Sequence, residues 1–122
     1  MTKGEIEHII RRFPFIKKAI NKELPRAVFY VGKRKQIINI TPEVRSVYNI
    51  IDIIYKKEQN NCIKDMINLI LNGKTDINIL QNVPYSKNSY YQKKEAFIQK
   101  VYNCCIAWNL VSFDEILMEE IA

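Results

Sequence analysis

Between Lys87 and Lys94 the chain reads Lys-Asn-Ser-Tyr-Tyr-Gln-Lys-Lys, eight consecutive residues whose side chains all carry hydrogen-bonding groups. Asn88 and Gln92 are four apart, so a helix presents them on one face. Their carboxamides offer a donor and an acceptor side by side, the pair that matches the major-groove edge of adenine. Lys87, Lys93 and Lys94 suit phosphate oxygens or guanine, and Tyr91 can hydrogen-bond a phosphate or pack on a thymine methyl. A solvated helix face has the same composition, so the surrounding elements must decide between the two.

Those elements are legible. Ile63, Met66, Ile67, Ile70 and Leu71 recur at helical spacing and stop at Asn72-Gly73, where Gly suits the C-terminal cap. Thr75 can cap a short helix with Ile77, Ile79 and Leu80, which Val83-Pro84-Tyr85 ends. Ser86 then caps a long helix from Lys87 to about Asn109, with Tyr90, Phe97, Val101, Cys104 and Trp108 as its apolar stripe. Tyr85 and Tyr90 hold the positions of a hydrophobic staple around that cap. Helix, tight turn, short helix, tight turn, long helix is a helix-turn-helix order, in which the first turns of the last helix enter the major groove. The Ser86 cap also leaves amide hydrogens at a positive helix end, which suits a phosphate.

The N-terminal half has another texture. Thr2 and Glu5 have the spacing of a capping box, ahead of Ile6, Ile9, Ile10 and Phe13. Pro14 is expected to push Phe13 out of the helix and start a second one, with Ile16, Ala19, Ile20 and Leu24, or to kink a single helix. Residues 27–40 favour strand on either side of Gly32-Lys-Arg-Lys35 and predict a β-hairpin with a basic tip. Lys33, Arg34 and Lys35 could serve as a wing on a phosphate backbone. An exposed turn kept soluble by its cations accounts for them as well, and is the commoner case. Thr41-Pro42-Glu43 opens a helix with Val44, Val47, Tyr48, Ile51, Ile54 and Tyr55, widened by Ile50 and Ile53. So wide a stripe must be central to the fold or shared with another subunit. The polar run from Lys56 to Asn61 then separates the halves.

Charge is unevenly placed. The chain has a net charge of +6, with +7 in residues 1–35, +3 in 36–111 and −4 in 112–122. A basic surface attracts polyanions, although charge by itself names no partner. Ser112-Phe-Asp-Glu115 has capping-box spacing, and Phe113, Ile116, Leu117 and Ile121 share a helical face. This acidic helix is expected to dock on its own core, on a second subunit or on polymerase. An enzyme is not expected: one His, three unclustered Gly and no paired carboxylates in an apolar context leave no site to build. Three Cys without metal-ligand spacing read as reduced thiols, no cofactor or metal is implied, and no apolar run is long enough to span a membrane or form a leader.

The segment "IKDMINLILNGKTDINILQNVPYSKNSYYQKKEAFIQKVYN", residues 63–103, resembles the C-terminal helix-turn-helix of ArpU/RinA-type phage transcriptional regulators, itself similar to region 4 of sigma-70 factors. "PYSKNSYYQKKEAF" is like that family's Ser-x-x-(Ser/Thr)-Tyr-Tyr opening followed by basic residues, and "IIRRFPFIKKAINKEL" is similar to its N-terminal segment. Together these cover about half of the chain. The resemblance implies that Lys87, Asn88, Ser89, Tyr91 and Gln92 face DNA. Lys93 departs from the pattern, standing where an apolar core residue is usual, so it must snorkel or the helix must be rotated. The recognition helix also lacks Arg, which weakens bidentate guanine reading, and the hairpin has no counterpart in the family.

The expected fold is mainly α: residues 1–60 as N-terminal helices, hairpin (27–40) and connecting helix, 61–111 as a helix-turn-helix unit, and 112–122 as an acidic helix. The expected function is a sequence-specific DNA-binding transcriptional regulator, phage-derived, cytoplasmic and nucleoid-associated in a bacterial host. Its expected partners are double-stranded DNA, RNA polymerase and a second copy in a homodimer. The rival is a non-enzymatic protein-interaction or phage packaging and assembly module that uses the helix-turn-helix as a scaffold.

Overall fold

The computed structural model describes residues 1–111; the expected acidic helix lies outside the described residues. Six helices and one two-stranded antiparallel sheet are present among them: α1 (Lys3–Arg11), α2 (Phe13–Asn21), β1 (Arg26–Val31), β2 (Arg34–Asn39), α3 (Pro42–Lys57), α4 (Asn61–Leu71), α5 (Asp76–Asn82) and α6 (Lys87–Ala107). No described helix is long and apolar enough to cross a membrane.

Local chemistry sets most boundaries. Thr2, Thr41, Asn60, Thr75 and Ser86 each accept a backbone N–H three residues on, satisfying one of the amides that a helix start leaves unpaired. At the other ends, α2, α4 and α6 close with paired backbone bonds of the Schellman type. In α4, Gly73 N–H donates to the Ile70 carbonyl and Lys74 N–H to that of Leu69, while Gly73 takes φ +75°. Glu23 and Asn109 adopt the same left-handed conformation after α2 and α6, without glycine's freedom.

Two helices, not one kinked helix, form the N-terminus. The break falls one residue before the expected place: Arg12 is the non-helical residue, and Phe13 opens α2 with Pro14 beside it. That placement buries the Phe13 ring, which stacks on Tyr48 at 5.1 Å.

The hairpin pairs Arg26 with Asn39 through to Val31 with Arg34. Gly32, at φ +62°, occupies the first central position of a two-residue turn, where a primed turn demands glycine. Its inner face leans on α2: Ala27 and Phe29 are buried, Phe29 stacks on Phe15 at 4.6 Å, and the Arg12 guanidinium lies over the same ring.

One apolar cluster holds the chain together. It takes Ile6, Ile9 and Ile10 from α1, Val47, Ile51 and Ile54 from α3, Met66 and Ile67 from α4, Ile79 from α5 and Tyr90, Phe97 and Val101 from α6. Residues on both sides of position 60 therefore share one core. Helix α3 is central, packing against α1, α2, α4 and α6. Its wide stripe is consumed inside the chain, since Ile50, Ile51 and Ile54 are buried and only Ile53 of the four isoleucines faces out. The surface that the sequence offered for a dimer is thus already covered.

Candidate nucleic-acid interface

Helix α6 buries a different stripe from the expected one. Tyr90, Phe97, Ile98, Val101, Tyr102 and Cys105 are buried, whereas Cys104 is half-buried and Trp108, the C-cap residue, is 70 % exposed. The cause is α1. Beyond Glu95 it covers the side of α6 that carries Ile98 and Tyr102, and Lys3 reaches across to Glu95 (3.4 Å) and Gln99 (3.1 Å). Only the first turns of α6 keep that side in solvent.

On those turns Lys87, Asn88, Tyr91 and Gln92 are all exposed. At 100° per residue they occupy one continuous face of the helix. Ser89 is half-buried, and its backbone N–H donates to Ser86 Oγ at 3.3 Å, so it belongs to the cap. The two later lysines are engaged by neighbours. Lys93 snorkels: it is half-buried, with its ammonium 4.9 Å from the centre of the Tyr85 ring. Tyr85 meets that cation while Tyr90 turns into the core.

Lys94 donates to Asp76 Oδ1 at 2.9 Å, and the Tyr90 hydroxyl donates to the same oxygen at 2.6 Å. These bonds tie the start of α5 to the third turn of α6 and fix how α6 is presented. Partial burial pushes the Asp76 carboxyl up, but the bonds from Tyr90 and Lys94 and the charges of Lys94 and Arg11 outweigh it, and the pKa settles below the ordinary value. Tyr90 moves the other way, because burial and a carboxylate acceptor both disfavour its phenolate.

A cleft of about 360 Å³ opens beside this face, between α6, the end of α1 and the α4–α5 turn. Tyr91 and Lys94 line one wall, Arg11 and Lys74 the opposite one, with Glu7 and Glu95 at the same opening. Neither Arg11 nor Lys74 forms an ion pair with a described carboxylate, although the Arg11 charge acts on Asp76. Sequence spacing did not single them out: they lie far from α6 in the chain, and only the fold brings them alongside.

The wing candidates Lys33, Arg34 and Lys35 are exposed on a hairpin that packs chiefly against α2. The structure thus gathers Lys87, Asn88, Tyr91 and Gln92 on one surface and leaves the hairpin tip on another element. No group of three or more metal-ligating side chains occurs among the described residues. Burial, with Cys104 alongside, pushes the Cys105 thiol up to about 11, which keeps it protonated and unreactive. No protein-family model matches the chain, and comparisons with curated proteins and with solved structures find no match.

Proposed function

We propose that this chain is a sequence-specific DNA-binding transcriptional regulator of the phage type, with α4, α5 and α6 acting as a helix-turn-helix and the first turns of α6 lying in the major groove. The observation that carries this reading is the exposed face formed by Lys87, Asn88, Tyr91 and Gln92 at a Ser86-capped helix start. Asn88 and Gln92 supply the base-edge hydrogen bonds, Lys87 and the free amides of the first turn hold phosphate, and Tyr91 packs on a thymine methyl or bonds the backbone. Arg11 and Lys74, across the cleft, add phosphate contacts that position the helix without reading sequence. Lys94 acts through Asp76 and Tyr90, by fixing the angle between α5 and α6. The resemblance to ArpU/RinA-type regulators supports the same assignment on the quoted residues alone.

A protein-interaction or assembly role is favoured by a different observation. Lys93 and Lys94 are held by Tyr85 and Asp76, which leaves the reading face with fewer free cations than its sequence promises. Selection of binding sites by the full chain from a random duplex library, followed by titration across salt, separates the two. A regulator enriches one motif and loses affinity steeply with salt. An assembly module enriches none and binds a protein in the presence of competitor DNA.

A further inference from the structure

The two faces of the hairpin are not equivalent. The register places Val28 opposite Ile37 and Tyr30 opposite Lys35 on the face turned away from α2. Val28, Tyr30 and Ile37 are 47 %, 66 % and 49 % exposed, an apolar strip on a two-stranded sheet that has nothing over it among the described residues. Its border has one sign of charge. Arg26, Lys33, Arg34 and Lys35 are the charged residues of the hairpin, Arg34 on the inward face opposite Val31, and none is paired with a described carboxylate.

The chain contains the complement. Residues 112–122 carry four acids and no cation, with Phe113, Ile116, Leu117 and Ile121 spaced for a single helical face. The described end of the chain is tied to the N-terminus, and the N-terminus neighbours the hairpin. The Met1 ammonium donates to the Leu110 carbonyl at 2.8 Å, and Met1 lines one cavity together with Ile38 of β2. Eleven residues span roughly 36–40 Å extended or about 16 Å as a helix, against about 20 Å for a six-residue strand. Ile38 lies on the inward face, and the extended length exceeds that of the hairpin, so the segment can pass its edge to the outward face.

We propose that the outward face of the β1–β2 hairpin is the docking site of residues 112–122 of the same chain, with their apolar side chains on Val28, Tyr30 and Ile37 and their carboxylates against Arg26, Lys33 and Lys35. This inference does not depend on DNA binding. It assigns the basic tip a protein ligand, and any phosphate contact of that tip has to displace it.

Zero-length carboxyl–amine coupling of the full chain, read by peptide mass spectrometry, tests the proposal. The expected product joins Asp114, Glu115, Glu119 or Glu120 to Lys33 or Lys35 within one molecule. The double variant Ile116→Ser/Leu117→Ser, which keeps every charge, loses these links, and so does Val28→Ser/Ile37→Ser on the exposed face. Links to other lysines only, or links that survive both variants, overturn it. Links between labelled and unlabelled chains in a mixture overturn the intramolecular assignment and give the face to a second copy.

Discussion

Asp76 supports the proposed interface from behind its exposed face. It has no reading role, yet it accepts from both Tyr90 and Lys94 and so sets how α6 is presented. Asp76→Ala leaves a buried hydroxyl and an ammonium without their acceptor, and is expected to destabilise the fold by about 1–3 kcal/mol. Tyr90→Phe should cost about 0.5–1.5 kcal/mol, and thermal melting of both variants checks the order. Asp76 also gives stability a definite pH dependence. Its folded pKa lies below the unfolded value, so its contribution is complete above the ordinary carboxylate range and is lost as pH falls through the folded pKa. Asp76→Asn should remove that acid-side loss, as judged by melting temperature against pH. Among the lysines, Lys87→Ala should flatten the log–log salt dependence of DNA binding by about 0.9. Lys94→Ala, whose ammonium is held by Asp76, should instead act mainly on stability.

At the scale of elements, two helix ends make opposite predictions. Gly73 sits at φ +75°, and a Cβ there would lie 3.4 Å from Pro14 Cγ. Gly73→Ala forces an L-residue into the left-handed region against that ring and is expected to cost about 1 kcal/mol or more. Glu23, at φ +55°, already bears this strain, so Glu23→Gly should raise stability by up to ~1 kcal/mol. Denaturant titration of the pair measures both signs. The same scale shows what was legible in the sequence. Caps and turns are local, and Thr2, Thr41, Thr75, Ser86 and Gly73 could be read from their neighbours alone. The stripe of α6 could not. Trp108 is apolar enough to be placed inside, but burial depends on where α1 lies, and α1 covers Ile98 and Tyr102 instead. The engagement of Lys94 was equally hidden, because its partner is 18 residues away and no periodicity links them.

For the whole molecule, the shared cluster predicts that the described chain unfolds as a single cooperative unit. Ile51, fully buried in central α3, contacts a core built from both halves. Ile51→Ala is expected to cost about 2–5 kcal/mol and to lower the melting of the hairpin and of α6 together. Backbone signals that melt at separate temperatures would instead divide the chain near residue 60. A core of this kind presents the start of α6 as a rigid surface, which base reading requires. As a reading surface, it has to discriminate sequence. Anisotropy titration of Asn88→Ala and Gln92→Ala against the selected duplex and against random duplex at one salt concentration tests it most directly. Each variant is expected to lose about 1–3 kcal/mol on the selected site while random binding stays nearly unchanged. Equal losses on both duplexes, or no loss on either, would contradict the assignment of α6 as the reading helix.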